Sequence, residues 1–440
     1  MTERFDVVVV GGRCAGATLG RLLAMKGLRV CVIDRSRFPS EVPSTHVVQP
    51  NGVAALDRMG LLERITAAGA PTIEQVRIFL GDLRVDYGAD FPMLEQTGAP
   101  LVSARRITLD KLLLDAAAES GADVRTETAV TGLIEDDGRV RGVRTATRDI
   151  ESSLVVGADG PNSTVARLVG AREYAATAPG RLFLWGYFAG AVDDANRLRL
   201  GKIDDIAMLA APTDGNLYIV AIVPSIADKD RQLADTSASL TEGISKFEEL
   251  KVVLEMAERV GPVRVMARWH GFFREATGAG WVLVGDAGHF KDPTPGQGIA
   301  DAFRQVEKLA PAIGGGLADG HLDERLASWA RWRNDDAWEM YWFAADLGAE
   351  GPTSPLVSQM IRNVFSAPSG KLQFLEMMNH DLLPSKLFTR RRALRSLAQL
   401  AREQPRSAGS LGAEMAGIAA TDIRRRRLRR KSLPRQTATL

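Results

Sequence analysis

Cysteine is scarce in this 440-residue chain: Cys14 and Cys31 are the only two, and no Cys-x-x-Cys pair occurs. That excludes a disulfide-built scaffold and a dithiol redox centre, and both thiols read as small buried filler. The five histidines form no cluster with metal-ligand spacing, and no Ser/His/Asp set is evident. Charge of one sign is also missing. Fifty-six basic residues against 54 acidic ones leave a net +2, so no global field argues for nucleic acid. No apolar run approaches the length of a membrane span, and Met1-Thr-Glu-Arg-Phe-Asp lacks a signal-peptide pattern. The expectation is a cytoplasmic protein without an integral membrane segment, long enough for more than one core.

The first thirty-four residues carry a complete local signature. Phe5 to Val10 is a β-branched run suited to a buried parallel strand. Gly11-Gly12-Arg13-Cys14-Ala15-Gly16 follows, then helix formers to Lys26, a stop at Gly27, a second buried strand Leu28 to Ile33, and Asp34 with Arg35 after it. Strand, glycine-rich turn, helix, strand and acid make a dinucleotide-binding fingerprint in its required context. Gly11 and Gly12 allow the tight turn and close approach to a pyrophosphate, Gly16 allows helix–sheet packing, and Asp34 suits a ribose. Arg13 stands where the pattern has its middle glycine. Either Gly12 absorbs the close contact, or the guanidinium meets a phosphate oxygen, or it points to solvent; the sign of its charge favours a phosphate role.

A second informative stretch is Trp281-Val-Leu-Val-Gly285-Asp286-Ala-Gly-His289-Phe-Lys-Asp-Pro293-Thr-Pro-Gly296-Gln297-Gly298-Ile299. It reads as a buried strand, a Gly-Asp turn, a proline-bearing loop and a helix start. A carboxylate at a strand end suits sugar-like hydroxyls, and free N–H groups at a helix start suit negative charge. FAD, with a polyol chain and a ring that gains negative charge on reduction, needs both. A third stretch, Val155-Val-Gly-Ala158-Asp159-Gly160-Pro-Asn162-Ser163-Thr-Val-Ala-Arg167, ends a buried strand, and Ser163 is placed to cap the next helix.

The three motifs in this order resemble the FAD-dependent monooxygenases of the para-hydroxybenzoate hydroxylase type, with the geranylgeranyl reductases and flavin-dependent halogenases as relatives. The resemblance covers roughly residues 5–345. It implies an α/β fold: a Rossmann-like FAD-binding domain of the glutathione-reductase type, an inserted and mostly antiparallel β-sheet substrate domain, and a helical C-terminal region. It implies FAD contacts from Gly11, Gly12, Arg13, Cys14, Ala15, Gly16, Asp34, Arg35, Val130, Asp159, Asp286, Pro293, Gly296, Gln297, Gly298 and Ile299. Arg106, in Arg106-Ile-Thr-Leu109-Asp110, matches an arginine that meets the FAD. His46, in Pro43-Ser44-Thr45-His46, lies where relatives keep a basic residue near the flavin phosphates; a structural loop histidine is the equal alternative. This chain departs from the pattern at Arg13, at Ala300 where relatives often have Asn, and at Gln305 where hydroxylases have Asp.

The organisation expected is FAD-binding segments at 1–72, 104–180 and 275–345, substrate-domain strands at 73–103 and 181–274, C-terminal helices at 346–403, and a basic, flexible tail at 404–440. Residues 51–64 and 240–259 read as helices, and Glu135-Asp-Asp-Gly138 as a hairpin turn. His270 reads as a satisfied core histidine. Trp329, Trp332, Trp338, Tyr341 and Trp342 recur at helical spacing and read as core and lid packing over the cofactor domain, with a substrate wall as the second reading.

No second Gly-x-Gly-x-x-Gly follows another strand, so NAD(P)H is expected to dock transiently, as the resemblance implies for single-component hydroxylases acting on an aromatic or polycyclic small molecule. The halogenase string Trp-x-Trp-x-Ile-Pro is absent, as is the Tyr-x-Trp-x-Phe-Pro string of geranylgeranyl reductases; Leu217-Tyr-Ile-Val-Ala-Ile-Val-Pro224 stands in that place. A reductase of the geranylgeranyl type and a flavin-binding protein without turnover are the alternatives. No catalytic acid or base, no metal ligand and no oligomeric state is assigned from sequence.

Overall fold

The computed structural model describes residues 3–432 apart from Thr45, Ala89, Pro92 and Asp194. Its first layer is a sheet ordered Thr277–Gly278, Trp281–Leu283, Asp149–Gly157, Glu3–Val10, Val30–Ile33, Asp123–Arg125. Glu3–Val10 sits centrally and pairs in parallel with Asp149–Gly157 and Val30–Ile33. Its residues Val7, Val8 and Val9 are fully buried, as β-branched residues covered on both faces should be. Helices Cys14–Ala24, Arg106–Glu119 and Gly298–Asp319 pack on one side around one large apolar core. A hairpin of Val130–Asp136 and Arg139–Thr145 extends the sheet. Its two-residue turn has φ +46° at Asp137 and +70° at Gly138, the left-handed pair that Asp-Gly readily supplies.

The second layer has seven strands ordered Glu258–Met266, Phe183–Ala189, Leu217–Val223, Ile206–Thr213, Arg197–Ile203, Gln75–Leu80, Leu83–Tyr87. All its pairs are antiparallel except Arg197–Ile203 with Gln75–Leu80. The α/β fold with an inserted, mostly antiparallel sheet is therefore as expected.

Three local expectations are corrected. The single helix over 51–64 is two, Pro50–Arg58 and Leu62–Ala67, separated at Gly60, whose φ is +66°. The single helix over 240–259 is two short ones, Thr236–Ser245 and Glu248–Val253, and the chain then becomes a strand from Glu258. Apolar spacing continues through the segment, but pairing with Phe183–Ala189 claims its end, and tertiary pairing overrides local propensity. The tail is not free up to residue 432: Ala408–Ser432 is a helix. Leu411 is buried beside Leu356 and Leu400, Leu428 packs near Tyr341, and Arg425 pairs with Asp346 at 2.6 Å. Residues 433–440 lie outside the described residues. No helix among the described residues is long and apolar enough to cross a membrane, and no group of metal-ligating side chains occurs among them.

Candidate flavin and substrate site

The ends of the parallel strands, the start of two helices and one face of the antiparallel sheet enclose a cavity of about 970 Å³. The sequence motifs meet there. Gly11, Arg13, Cys14 and Ala15 form one end with Asp34 and Arg35; Val130 and Asp159 lie beside them; Arg106, Asp286, Pro293, Gly296, Gly298 and Ile299 continue the wall. Helix Cys14–Ala24 opens with no acidic residue in its first turn and no side-chain cap, which leaves a helix N-terminus suited to an anion.

Close packing explains the glycines. At Gly16 a Cβ would lie 1.7 Å from the Gly11 carbonyl oxygen, and at Gly11, with φ +104°, 2.3 Å from that of Ala158. Gly12 and Gly16 do not line the cavity. Gly12 instead donates its N–H to Asp34 Oδ2 at 2.8 Å, while Asp34 Oδ1 accepts from the Ser36 N–H at 2.7 Å. Asp159 accepts from the Ser163 hydroxyl and the Thr164 N–H, and Ser163 caps its helix through the Ala166 N–H at 2.9 Å. Arg13 neither floats in solvent nor waits unpaired. Its guanidinium is held by Asp110 at 2.7 Å and by the Ser40 hydroxyl at 2.9 Å, and lies over the Phe38 ring.

Asp286 is different. It faces the cavity, no hydrogen bond from a described residue reaches its carboxylate, and burial pushes its pKa up to about 6 against the pull of Arg106. Gln297 N-caps helix Gly298–Asp319 with no side-chain cap bond, and an added Cβ at Gly298 would meet nothing within 4 Å. An unpartnered carboxylate, an uncapped helix start and open space at a glycine fit FAD: hydroxyls for Asp286 and an electron-rich ring edge for the backbone N–H groups near Gly298.

Three expectations change. His46 lies outside the cavity lining. Its ring is stacked on Tyr187 and shares a 2.5 Å hydrogen bond with that hydroxyl. Burial brings its pKa down to about 3, so it is neutral and carries no cation for a phosphate. Gln297 turns away from the cavity, accepting from Lys291 Nζ at 2.8 Å and donating to the Met378 carbonyl at 2.8 Å. His270 is exposed and pairs with Glu173 at 3.0 Å, so it is no core histidine. His289, also in the lining, is neutral for the same reason as His46, with its pKa lowered to about 3, and Gln305 lies 3.4 Å from its Nδ1.

The remaining wall comes from the antiparallel sheet and its flank: Phe183, Trp185, Ala221, Met266, Trp269 and Phe290. Trp269 meets Phe183 and Phe290 at centroid distances of 6.4 and 6.1 Å. Sequence reasoning singled out none of these six as a site residue, because apolar residues in strands read as core.

Residues 4–343 match the model of the FAD binding domain. The chain belongs to that family. It is thus an FAD-dependent enzyme of the flavoprotein monooxygenase superfamily, and FAD is its cofactor. The 6-methylpretetramide 4-monooxygenase of Streptomyces rimosus is 28% identical over 328 residues, covering 73% of this chain and 78% of that one. A brominase of 1H-pyrrole-2-carbonyl peptidyl-carrier protein from Pseudoalteromonas luteoviolacea is 26% identical over 329 residues, covering 71% and 77%. Among solved structures the flavin-dependent brominase Bmp2 superposes with a TM-score of 0.74 at 20% identity, over 91% of this flavoprotein and 100% of that chain. At that identity the likeness concerns the fold.

Proposed function

We propose that this flavoprotein is an NAD(P)H-driven, single-component monooxygenase that hydroxylates an aromatic or polycyclic small molecule. One observation carries the reading. The residues of the three FAD motifs and the apolar, largely aromatic face Phe183, Trp185, Met266 and Trp269 line the same cavity, so a flat apolar molecule on the sheet side would face the cofactor directly. Bound FAD supplies the electron transfer and the activation of oxygen.

The chain's own residues bind, orient and exclude water. Asp34 addresses the ribose, and Arg13 and Arg35 the pyrophosphate. Asp286 accepts from the ribityl hydroxyls, and the backbone at Gly296–Ile299 donates to the ring edge where negative charge collects on reduction. The apolar wall keeps bulk water from the reacting faces. A single dinucleotide fingerprint in the chain supports transient docking of NADH or NADPH rather than a resident site. The stretch Leu217–Pro224, without tryptophan, supports hydroxylation over halogenation.

The test is oxygen uptake and NAD(P)H oxidation with a panel of phenols, polycyclic aromatics and prenyl lipids, with and without bromide or chloride. Substrate-stimulated oxygen consumption yielding a product heavier by one oxygen supports the proposal. Halogenated product, or anaerobic reduction of a prenyl lipid without oxygen use, would replace it.

A further inference from the structure

The most unusual group in the cavity wall is one the flavin motifs do not account for. Lys291 is only 6% exposed, yet lines the cavity together with Asp286, Gly296 and Gly298. Its Nζ is 2.6 Å from Asp301 Oδ2 and 2.8 Å from Gln297 Oε1. Asp301 is itself buried, in the first turn of helix Gly298–Asp319. Burial opposes its ionisation, but the Lys291 ammonium and His380 outweigh that and hold its carboxyl far below the usual range.

The far side of the pair is fixed by a turn from the C-terminal region, beyond the residues matched by the family model. His380, in the left-handed conformation at φ +64°, places Nδ1 3.3 Å from Asp301 Oδ1 and Nε2 3.1 Å from the Asp336 carbonyl oxygen. The Met378 carbonyl accepts from Gln297, and the Asn379 side-chain oxygen accepts from the Asn51 N–H at 2.6 Å. A buried ammonium is thus held at the cavity wall by Gln297 and Asp301, and the 378–380 turn bonds both of those side chains in turn. Such a group is costly to bury and weak evidence for a merely stabilising role.

We propose that Lys291 is a cofactor-directed residue: its ammonium, oriented by Asp301, Gln297 and the 378–380 turn, raises the reduction potential of the bound flavin. Two-electron reduction adds negative charge to the flavin ring, and a fixed positive charge at the wall of the same low-dielectric cavity favours the reduced form. The Asp301 carboxylate opposes it, so the potential reflects the balance of the pair. The inference rests on FAD occupying this cavity and not on which substrate is oxidised.

The experiment measures the two-electron midpoint potential and the dissociation constant of oxidised FAD for the wild type, Lys291→Met, Asp301→Asn and the double variant. Lys291→Met leaves the carboxylate bare and should lower the ratio of reduced- to oxidised-flavin affinity at least tenfold, about 30 mV for a two-electron couple. Asp301→Asn should shift it in the opposite direction, and the double variant should lie near the wild type. Opposite shifts that cancel in the double variant establish the role. Unchanged potentials, or single variants shifting in the same direction, overturn it. Should the single variants fail to fold or to hold flavin, whether or not the double variant does both, the pair is structural and the proposal is overturned. Wild-type protein that takes up no FAD would instead sink the reading of the cavity.

Discussion

The Arg13 guanidinium lies 2.7 Å from the Asp110 carboxylate, joining the glycine-rich turn to a helix that begins more than ninety residues later. Asp110 is fully buried and serves a second arginine, Arg106, at 2.9 Å, while Cys14 Sγ lies 3.4 Å away. Removing it strands two cavity-facing cations. Asp110→Ala should cost roughly 3–5 kcal/mol of stability and abolish FAD retention, whereas Arg13→Ala should fold and lose FAD affinity by about tenfold through a missing charge-assisted contact. Urea unfolding and flavin titration of the two variants check both. An Asp110→Ala protein as stable as the wild type would show that the arginines do not depend on it.

Asp286 gives a prediction in pH. Its folded pKa, about 6, lies above the ordinary carboxylate value, so in the FAD-free protein the ionised group opposes folding. That penalty is complete above the folded value, declines as pH falls through 6, and is gone below about 4. Asp286→Asn should therefore raise the melting temperature of the FAD-free protein at pH 8 and leave it unchanged near pH 4. The same variant should weaken FAD binding at least tenfold, because the ribityl hydroxyls lose a charged acceptor. Asp286→Ala should lose the flavin altogether. Stoichiometric flavin in the alanine variant would remove Asp286 from the site.

Two glycines provide a matched pair. Gly16→Ala places a methyl 1.7 Å from a backbone oxygen, which no side-chain movement relieves, and should cost several kcal/mol and prevent soluble expression at 37 °C. Gly298→Ala meets nothing within 4 Å and begins a helix, so the FAD-free protein should be as stable as the wild type or up to about 1 kcal/mol more stable. Its flavin affinity should nevertheless fall, because the methyl occupies the space left for the ring. Differential scanning calorimetry without FAD, followed by flavin titration, separates the two effects.

The contrast between local and distant features explains what could be read from sequence. The turn Gly11–Gly16, the cap at Ser163 and the Asp137-Gly138 hairpin are each determined within a few residues, so residue type and spacing suffice. Arg13 breaks the fingerprint without strain because its φ of −102° is one that any residue adopts. Lys291, Asp301 and His380 were not recognised as a set, since His380 comes 79 residues after Asp301. One signal was present: an acid, Asp301, inside the apolar run Gly298-Ile-Ala-Asp-Ala-Phe303, where a buried helix face needs none. His46 misled because the loop's position, not its packing against Tyr187, was all that sequence offered. The aromatic wall stayed hidden because cavity-facing and core-facing strand residues have the same composition.

The pair His46–Tyr187 should prove structural. Tyr187→Phe leaves the buried His46 Nε2 without its partner and should cost about 1–3 kcal/mol, with flavin affinity within twofold of the wild type. The folded pKa of His46, about 3, is depressed, as is that of His289. For a histidine this sign means stability is intact above the unfolded value near 6.5 and is lost as pH falls toward 3. Denaturant midpoints should accordingly fall between pH 7 and pH 4. A His46→Gln variant should show a shallower fall. An equal slope would place the acid sensitivity elsewhere.

The C-terminal helix Ala408–Ser432 is held by two kinds of contact, and their weights differ. Arg425 pairs with Asp346 and lies 4.5 Å from the Trp342 ring centroid, and Arg429 pairs with Asp335. Both acids are more than half exposed, so screening leaves each bridge worth little, and Arg425→Ala should cost no more than about 1 kcal/mol. The apolar anchors Leu411 and Leu428 carry more. Leu411→Ala, buried at 3% exposure, should cost about 2–5 kcal/mol and increase proteolysis within the helix. Since no residue of the helix lines the cavity, FAD affinity should be unchanged in both variants, and the helix should stay protected from protease in 1 M salt, where ion pairs are screened but burial is not. Release of the helix by salt alone would reverse that ranking and make the basic face, rather than the leucines, its main attachment.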